Sequence, residues 1–236
     1  MKHPNGLPKL FTLAVILIPF LMTACNSSST NEETHQYEIT VNNITANQPF
    51  SPVVIFAHEP NYKIWQSGKA ASVGLEHLAE GGSNRQLIEE VEKNEHYIDH
   101  ATGTAAIKSG RSETITLSVK DANWVRLSFA TMLVNTNDAF TGLENIKIGD
   151  LNKGESKTLT TVAWDAGTEK NTEVAGSIPG PADGGQGFNA SRAGDVNFIS
   201  VHQGVVTSDD GLLDSILDQS HRFDNPVAQV TVKRID

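Results

Sequence analysis

The chain has 236 residues, 18 Lys and Arg against 28 Asp and Glu, and a formal net charge of −10. Nucleic acid, heparin-like polyanions and anionic lipid surfaces are gripped by Lys/Arg clusters, so this balance argues against all three and is compatible with cations. With a single cysteine no disulfide can form within the chain, and stability must come from packing and from any bound metal.

Residues 1–24 read as a leader outside the fold. Lys2 and Lys9 form a basic start, Phe11 to Met22 is apolar but shorter than the about 20 residues of a membrane span, and Thr23-Ala24 supply small residues before a cleavage point. Cys25 follows at once, and Leu21-Met22-Thr23-Ala24-Cys25 resembles the lipobox of bacterial lipoproteins. That resemblance implies lipidation of Cys25 and a membrane anchor; an ordinary signal peptide with an incidental cysteine is the alternative. Each buried methylene contributes about 0.8 kcal/mol, so two or three acyl chains hold stably where one does not. Asn26, standing where Asp would retain an enteric-type lipoprotein, implies passage to the outer membrane of the cell envelope. Residues 25–36, polar and without apolar periodicity, read as a flexible tether.

Residues 37–236 are long enough for one sizeable core and read as one domain. Tyr37 to Thr45 alternates Tyr, Ile, Val and Ile with polar residues, the period of a half-buried strand, and Val53 to His58 is a short apolar run covered on both faces. His58 beside Glu59 reads as a polar strand end before Pro60, with metal ligation as the alternative. Ala70 to Glu80 and Asn84 to Asn94 place leucines, Ile88 and Val91 at helical spacing, with Gly81-Gly82 between them. These two short helices are expected to lie across an end or face of the strands. His96 and His100, four apart among Glu95 and Asp99, mimic a helical zinc pair; a solvated helix end is the competing reading.

The β pattern returns at Glu113 and continues in Trp124 to Val134, Leu143 to Ile148 and Lys157 to Trp164. Gly176 to Gly187 is a glycine- and proline-rich surface loop without the Lys-Ser/Thr ending of a phosphate cradle. Val196 to Gly204 is predicted as a further strand, Gly211 to Gln219 as a brief helix, and Val227 to Val232 as the last strand. The fold class expected is all-β, an antiparallel sandwich with two or three short helices in its connections.

Two acidic turns end β-like runs: Thr136-Asn137-Asp138-Ala139-Phe140, and Ala163-Trp164-Asp165-Ala166-Gly167-Thr168-Glu169. A sheet could bring Asp138, Asp165 and Glu169 to one edge, where their mutual repulsion calls for a cation. Hard oxygen donors favour Ca²⁺, which takes about 6–8 oxygen ligands in tolerant geometry, over zinc or copper. For Asp138, an Asx-type turn is the competing reading. Trp164 is expected to pack beneath the site, with stacking on a sugar as the alternative.

These turns also carry a family resemblance. Asn137-Asp138-Ala139-Phe140-Thr141-Gly142-Leu143 followed by Ala163-Trp164-Asp165-Ala166-Gly167-Thr168-Glu169-Lys170-Asn171 resembles the spondin domain of extracellular matrix proteins and bacterial secreted homologues. Tyr37 to Thr45, Gln48-Pro49-Phe50-Ser51-Pro52 and Asn225-Pro226-Val227-Ala228 extend it to roughly 37–234. The resemblance implies a C2-like antiparallel β-sandwich with Ca²⁺ held by Asp138, Asp165 and Glu169; animal members tend to carry Asp where this chain has Glu169.

An enzyme is disfavoured. There is no Gly-x-Ser-x-Gly elbow, no His-Glu-x-x-His and no cysteine beyond Cys25. Asp165 and Glu169 could in principle serve glycoside hydrolysis, but that chemistry needs two carboxyls flanking a cleft. The expectation is therefore a non-catalytic, calcium-binding lipoprotein domain, membrane-bound through its lipid, engaged in adhesion or contact with a protein or glycan. A structural envelope domain whose metal only steadies loops is the runner-up.

Overall fold

Alternating side chains drive the first sheet. In β1 (Thr34–Asn43) Tyr37, Ile39 and Val41 point inward; Ile39 lies opposite Ile115 of β4 (Ser112–Lys120) on one side and Val232 of β10 (Ala228–Arg234) on the other. With β7 (Ser156–Thr161) beyond β10, the four strands run β4-β1-β10-β7, every pair antiparallel. Because side chains alternate with period two, this register sends one apolar row into the core and leaves Thr and Ser ladders outside.

The computed structural model describes residues 1, 34–120, 123–192 and 194–236, and the described residues from Thr34 onward form one compact unit. The leader, Cys25 and most of the tether lie outside the described residues. The sheet begins at Thr34, so Thr34 to Gln36 belong to β1 and not to the tether: Thr34 and Gln36 pair with Lys120 and Ser118.

The second sheet has six strands in the order β3-β2-β5-β6-β8-β9, all antiparallel. They are β2 (Val54–His58), β3 (Tyr97–Thr102), β5 (Arg126–Met132), β6 (Ala139–Lys147), β8 (Ala163–Asp165) and β9 (Ser200–Val201). Every residue of β2 is buried because the strand is covered twice: Ile55 and Ala57 face the first sheet, and Val54 and Phe56 face the helices. The chain is thus an all-β sandwich with an added helical layer.

That layer is α1 (Val73–Gly81) and α2 (Arg85–Val91), as the spacing predicted. Ser72 caps α1 by accepting the Leu75 N–H, and Gly82 ends it at φ +67°, a left-handed conformation that glycine adopts without Cβ strain. Leu75, Leu78, Leu87 and Val91 cover Phe56, Phe140 and Ala130 on the outer face of the second sheet. Each fully buried apolar side chain of this size contributes about 1.5–3 kcal/mol.

Several expectations are corrected. His96 and His100 are not on a helix: His96 lies in the turn before β3, where its Nδ1 meets Glu59 Oε2 at 2.8 Å, and His100 lies on β3, where its Nδ1 meets the Tyr97 hydroxyl at 2.9 Å. His58 ends β2 ahead of Pro60, as expected, and is fully buried there, donating from Nδ1 to the Glu59 carbonyl while Nε2 meets the Ser128 hydroxyl. The run Lys157 to Trp164 is two strands in different sheets, with the chain crossing at Val162. Only Ser200 and Val201 of 196–204 pair as a strand. Gly211 to Asp218 forms turns and Gln219 opens a 3₁₀ turn to His221, because Val174 bridges Ser215 and Ile216 donates to the Glu173 carbonyl, which takes these backbone groups from an α-helix.

Candidate functional site

The two acidic turns meet where β6 and β8 pair. Ala139 lies opposite Asp165, and the Ala166 N–H donates to the Asp138 carbonyl at 3.2 Å, so the β5–β6 turn and the end of β8 share one edge. The β5–β6 turn is fixed from within: the Thr136 hydroxyl donates to Leu133 O at 2.6 Å and accepts the Ala139 N–H at 3.0 Å. Gly167 follows Asp165 at φ +71°, and a Cβ there would sit 2.5 Å from the Phe198 carbonyl oxygen. Only glycine lets the chain turn this tightly beneath Phe198.

Asp138 is fully buried. Its Oδ2 accepts the N–H groups of Thr168 at 2.8 Å and Glu169 at 3.0 Å, while its Oδ1 has no partner. Burial, and then the neighbouring Asp165 carboxylate, push the Asp138 carboxyl up to about 7 against these hydrogen bonds. Asp165 accepts the Gly167 N–H through Oδ1 at 2.8 Å and the Asn171 amide through Oδ2 at 2.7 Å.

Glu169 is placed differently. Its Oε1 accepts from Asn137 at 3.1 Å and from the Arg192 guanidinium at 2.6 Å, while Oε2 has no partner. Arg192 also donates to the carbonyls of Ser177, Gln186 and Gly187, which ties the loop from Ser177 to Arg192 over the edge. Burial raises the Glu169 carboxyl and Arg192 opposes the rise. The structure therefore brings Asp138 and Asp165 within electrostatic reach of one another but turns Glu169 to an internal cation. Among the described residues no three His, Cys, Asp or Glu side chains form a metal-holding group.

The donor chemistry fits a hard divalent ion at Asp138 and Asp165, where an orphaned oxygen lies in a buried, like-charged pair. It does not fit one at Glu169 Oε1, where the guanidinium stands. Asn137 and Arg192 escaped the sequence reading: Asn137 sits inside the quoted motif without a charge, and Arg192 lies 23 positions from the carboxylate it meets.

Trp164 packs as expected, its ring centroid 5.2 Å from that of Trp65, which stands edge-on to Phe140. Both tryptophans also line a cavity of about 500 Å³ with Glu144, whose carboxyl burial pushes up to about 7. His202 is buried and accepts the Gly204 N–H through Nδ1, so the role of structural hydrogen bonder describes it.

A sequence model of the family described as Spondin_N matches residues 29–177. The chain belongs to that family. The matched segment contains β1 to β8 and both acidic turns, and stops short of β9, β10 and Asn225-Pro226, to which the motif resemblance extends. Spondin-2 of Homo sapiens is 26% identical over 155 residues, which is 64% of this chain and 41% of that protein. The chain thus spans less than half the length of this spondin relative.

Proposed function

We propose that this spondin-type domain is a non-catalytic, calcium-binding contact module, held on a bacterial envelope membrane by lipid on Cys25 and engaged with a protein or glycan. The observation that carries the reading is Asp138: a fully buried carboxyl with a free oxygen beside a second carboxylate. A divalent cation there would relieve both the unpaired oxygen and the like-charge repulsion between the two carboxylates. Asp138 and Asp165 are its holders, with backbone carbonyls of the two turns and water completing an oxygen shell. Glu169, neutralised by Arg192, adds to this edge only when that pair opens. Absence of the common nucleophile and zinc motifs supports the non-catalytic part, and the acidic balance of the chain supports a cation over an anionic partner.

A ligand that binds only the native state stabilises it by RT ln(1 + [L]/Kd), about 2.7 kcal/mol at a hundredfold excess over Kd. At roughly 2–4 °C per kcal/mol for a domain of this size, millimolar calcium should raise the melting temperature by several degrees if Kd is about 10 µM. Asp165→Ala should remove the rise. Unchanged wild-type melting in calcium and in EDTA, with no calorimetric heat, would leave the carboxylates as turn residues and the domain as structural.

A further inference from the structure

On the far side of Asp165 lies a cavity of about 540 Å³, within the range of about 300–1,000 Å³ typical of ligand sites. Asp165, Glu173 and Asp195 all line it, and among the described residues no lysine or arginine does. Its mouth is apolar and solvent-facing: Val196, Phe198, Val201 and Val206 are 50%, 42%, 50% and 48% exposed. Apolar side chains gathered at one concavity mark an interaction site, where scattered ones would mark nothing.

Glu173 is the acidic anchor. It is 1% exposed, its Oε1 accepts only the Val206 N–H at 3.3 Å, and its Oε2 has no partner. Burial pushes its carboxyl up to about 7, the response of an acid lacking a counter-charge. Its backbone sits at φ +51°, where a side chain with a Cβ is strained. The same cavity holds His202, whose Nδ1 accepts from Gly204 and whose Nε2 has no partner, leaving an N–H to offer a carbonyl. β9 borders the cavity and is the outermost strand of its sheet among the described residues.

We propose that this cavity is a docking site for an arginine side chain presented by an extended segment of a protein partner lying along β9. Arginine fits each part of the site: the planar fork suits a carboxylate, the aliphatic stem suits the valines, and the guanidinium stacks on a Phe198-type ring. Ile199, directly before β9, already pairs outward with Gly68 and Lys69, so main-chain pairing, the mode by which extended peptides add to sheets, is offered at Val201.

The inference names the partner chemistry of the contact role proposed above and rests on that role, though not on the cation. The test is a titration of the full domain with acetyl-Thr-Val-Arg-Val-Thr-amide, followed by amide NMR shifts, with lysine and citrulline versions as controls, in calcium and in EDTA. Saturable shifts confined to residues 196–206 with Kd of about 1 mM or tighter are expected, and the neutral citrulline peptide should bind at least about tenfold more weakly. Glu173→Gln should cost about tenfold or more. Phe198→Ala, at an exposed position that leaves the core intact, should also weaken binding. Equal binding of citrulline, wild-type affinity in both variants, equal binding of guanidinium ion alone, or no saturation at about 10 mM would each overturn the assignment. Peptide binding without a calcium response would remove the cation reading alone, and a calcium response without peptide binding would remove this cavity alone.

Discussion

At Asp138 the energetics of the edge reduce to one carboxyl. Its rise from 3.8 to about 7 corresponds to a penalty on the order of 4 kcal/mol for the ionised form. The neutral form is the one burial favours, so the stability this group contributes is present below about pH 4 and is lost as pH rises through about 7. In EDTA, wild type should therefore lose stability relative to Asp138→Asn between pH 5 and pH 8, measured by urea unfolding. A parallel pH dependence in the two proteins would show that Asp138 does not titrate in the folded edge. Using the difference is necessary, because Glu144 and Glu173 shift in the same sense while the buried His58 and His202, held below their usual range, act oppositely as pH falls. Arg192 is the other residue on which the edge depends. Removing one member of a buried ion pair leaves an uncompensated charge at about 3–5 kcal/mol, so Arg192→Ala should be strongly destabilised in thermal or urea unfolding. If Glu169 is freed to join a cation, calcium should recover more stability in that variant than in wild type.

The elements divide by what covers them. α1 and α2 are too short to be stable alone, and they persist because Leu75, Leu78, Leu87 and Val91 close the outer face of the second sheet. Leu78→Ala should cost about 2–5 kcal/mol in urea unfolding, by lost burial plus the cavity left behind. Leu213→Ala, at a side chain 89% exposed in a segment the leucine pattern marked as helical, should change stability by less than about 0.5 kcal/mol. A large loss at Leu213 would mean that the turn from Gly211 packs against something else. β7 and β8 show why a sheet edge forms where it does. The crossing at Val162 ends one sheet and lets β8 pair with β6, which sets Asp165 opposite Ala139 and hence beside Asp138.

At the scale of the whole molecule, Asp165 joins two regions of different chemistry. It lies beside Asp138 with its orphaned oxygen, and it also lines a cavity with an apolar mouth. Both collect carboxylates, in keeping with a chain whose net charge is −10. Among the described residues no helix is long and apolar enough to cross a membrane. The anchor proposed at Cys25 is open to a direct check. Wild type should partition into the detergent phase of a Triton X-114 separation and Cys25→Ser should stay aqueous; equal partitioning of the two would remove the lipid.

The strands with strict alternation, Tyr37 to Val41, Ile115 to Val119 and Val230 to Val232, were legible from sequence because a period of two has one physical outcome at a half-buried sheet. The helices were legible from their leucine spacing, and the two acidic turns from their place at strand ends. His96 and His100 misled because a spacing of four has meaning only on a helix, whereas His96 falls in a turn and pairing with Phe56 holds His100 in a strand. The site was legible in its residues but not in its pairings. Asp138, Asp165 and Glu169 carry identical charge in the sequence, and nothing local says which will be left with a free oxygen. That was decided by tertiary structure: the β6–β8 register set Asp165 beside Asp138, and a long loop carried Arg192 back to Glu169. Charge type is a property of the residue, whereas its compensation depends on what the folded chain brings within about 3 Å of it.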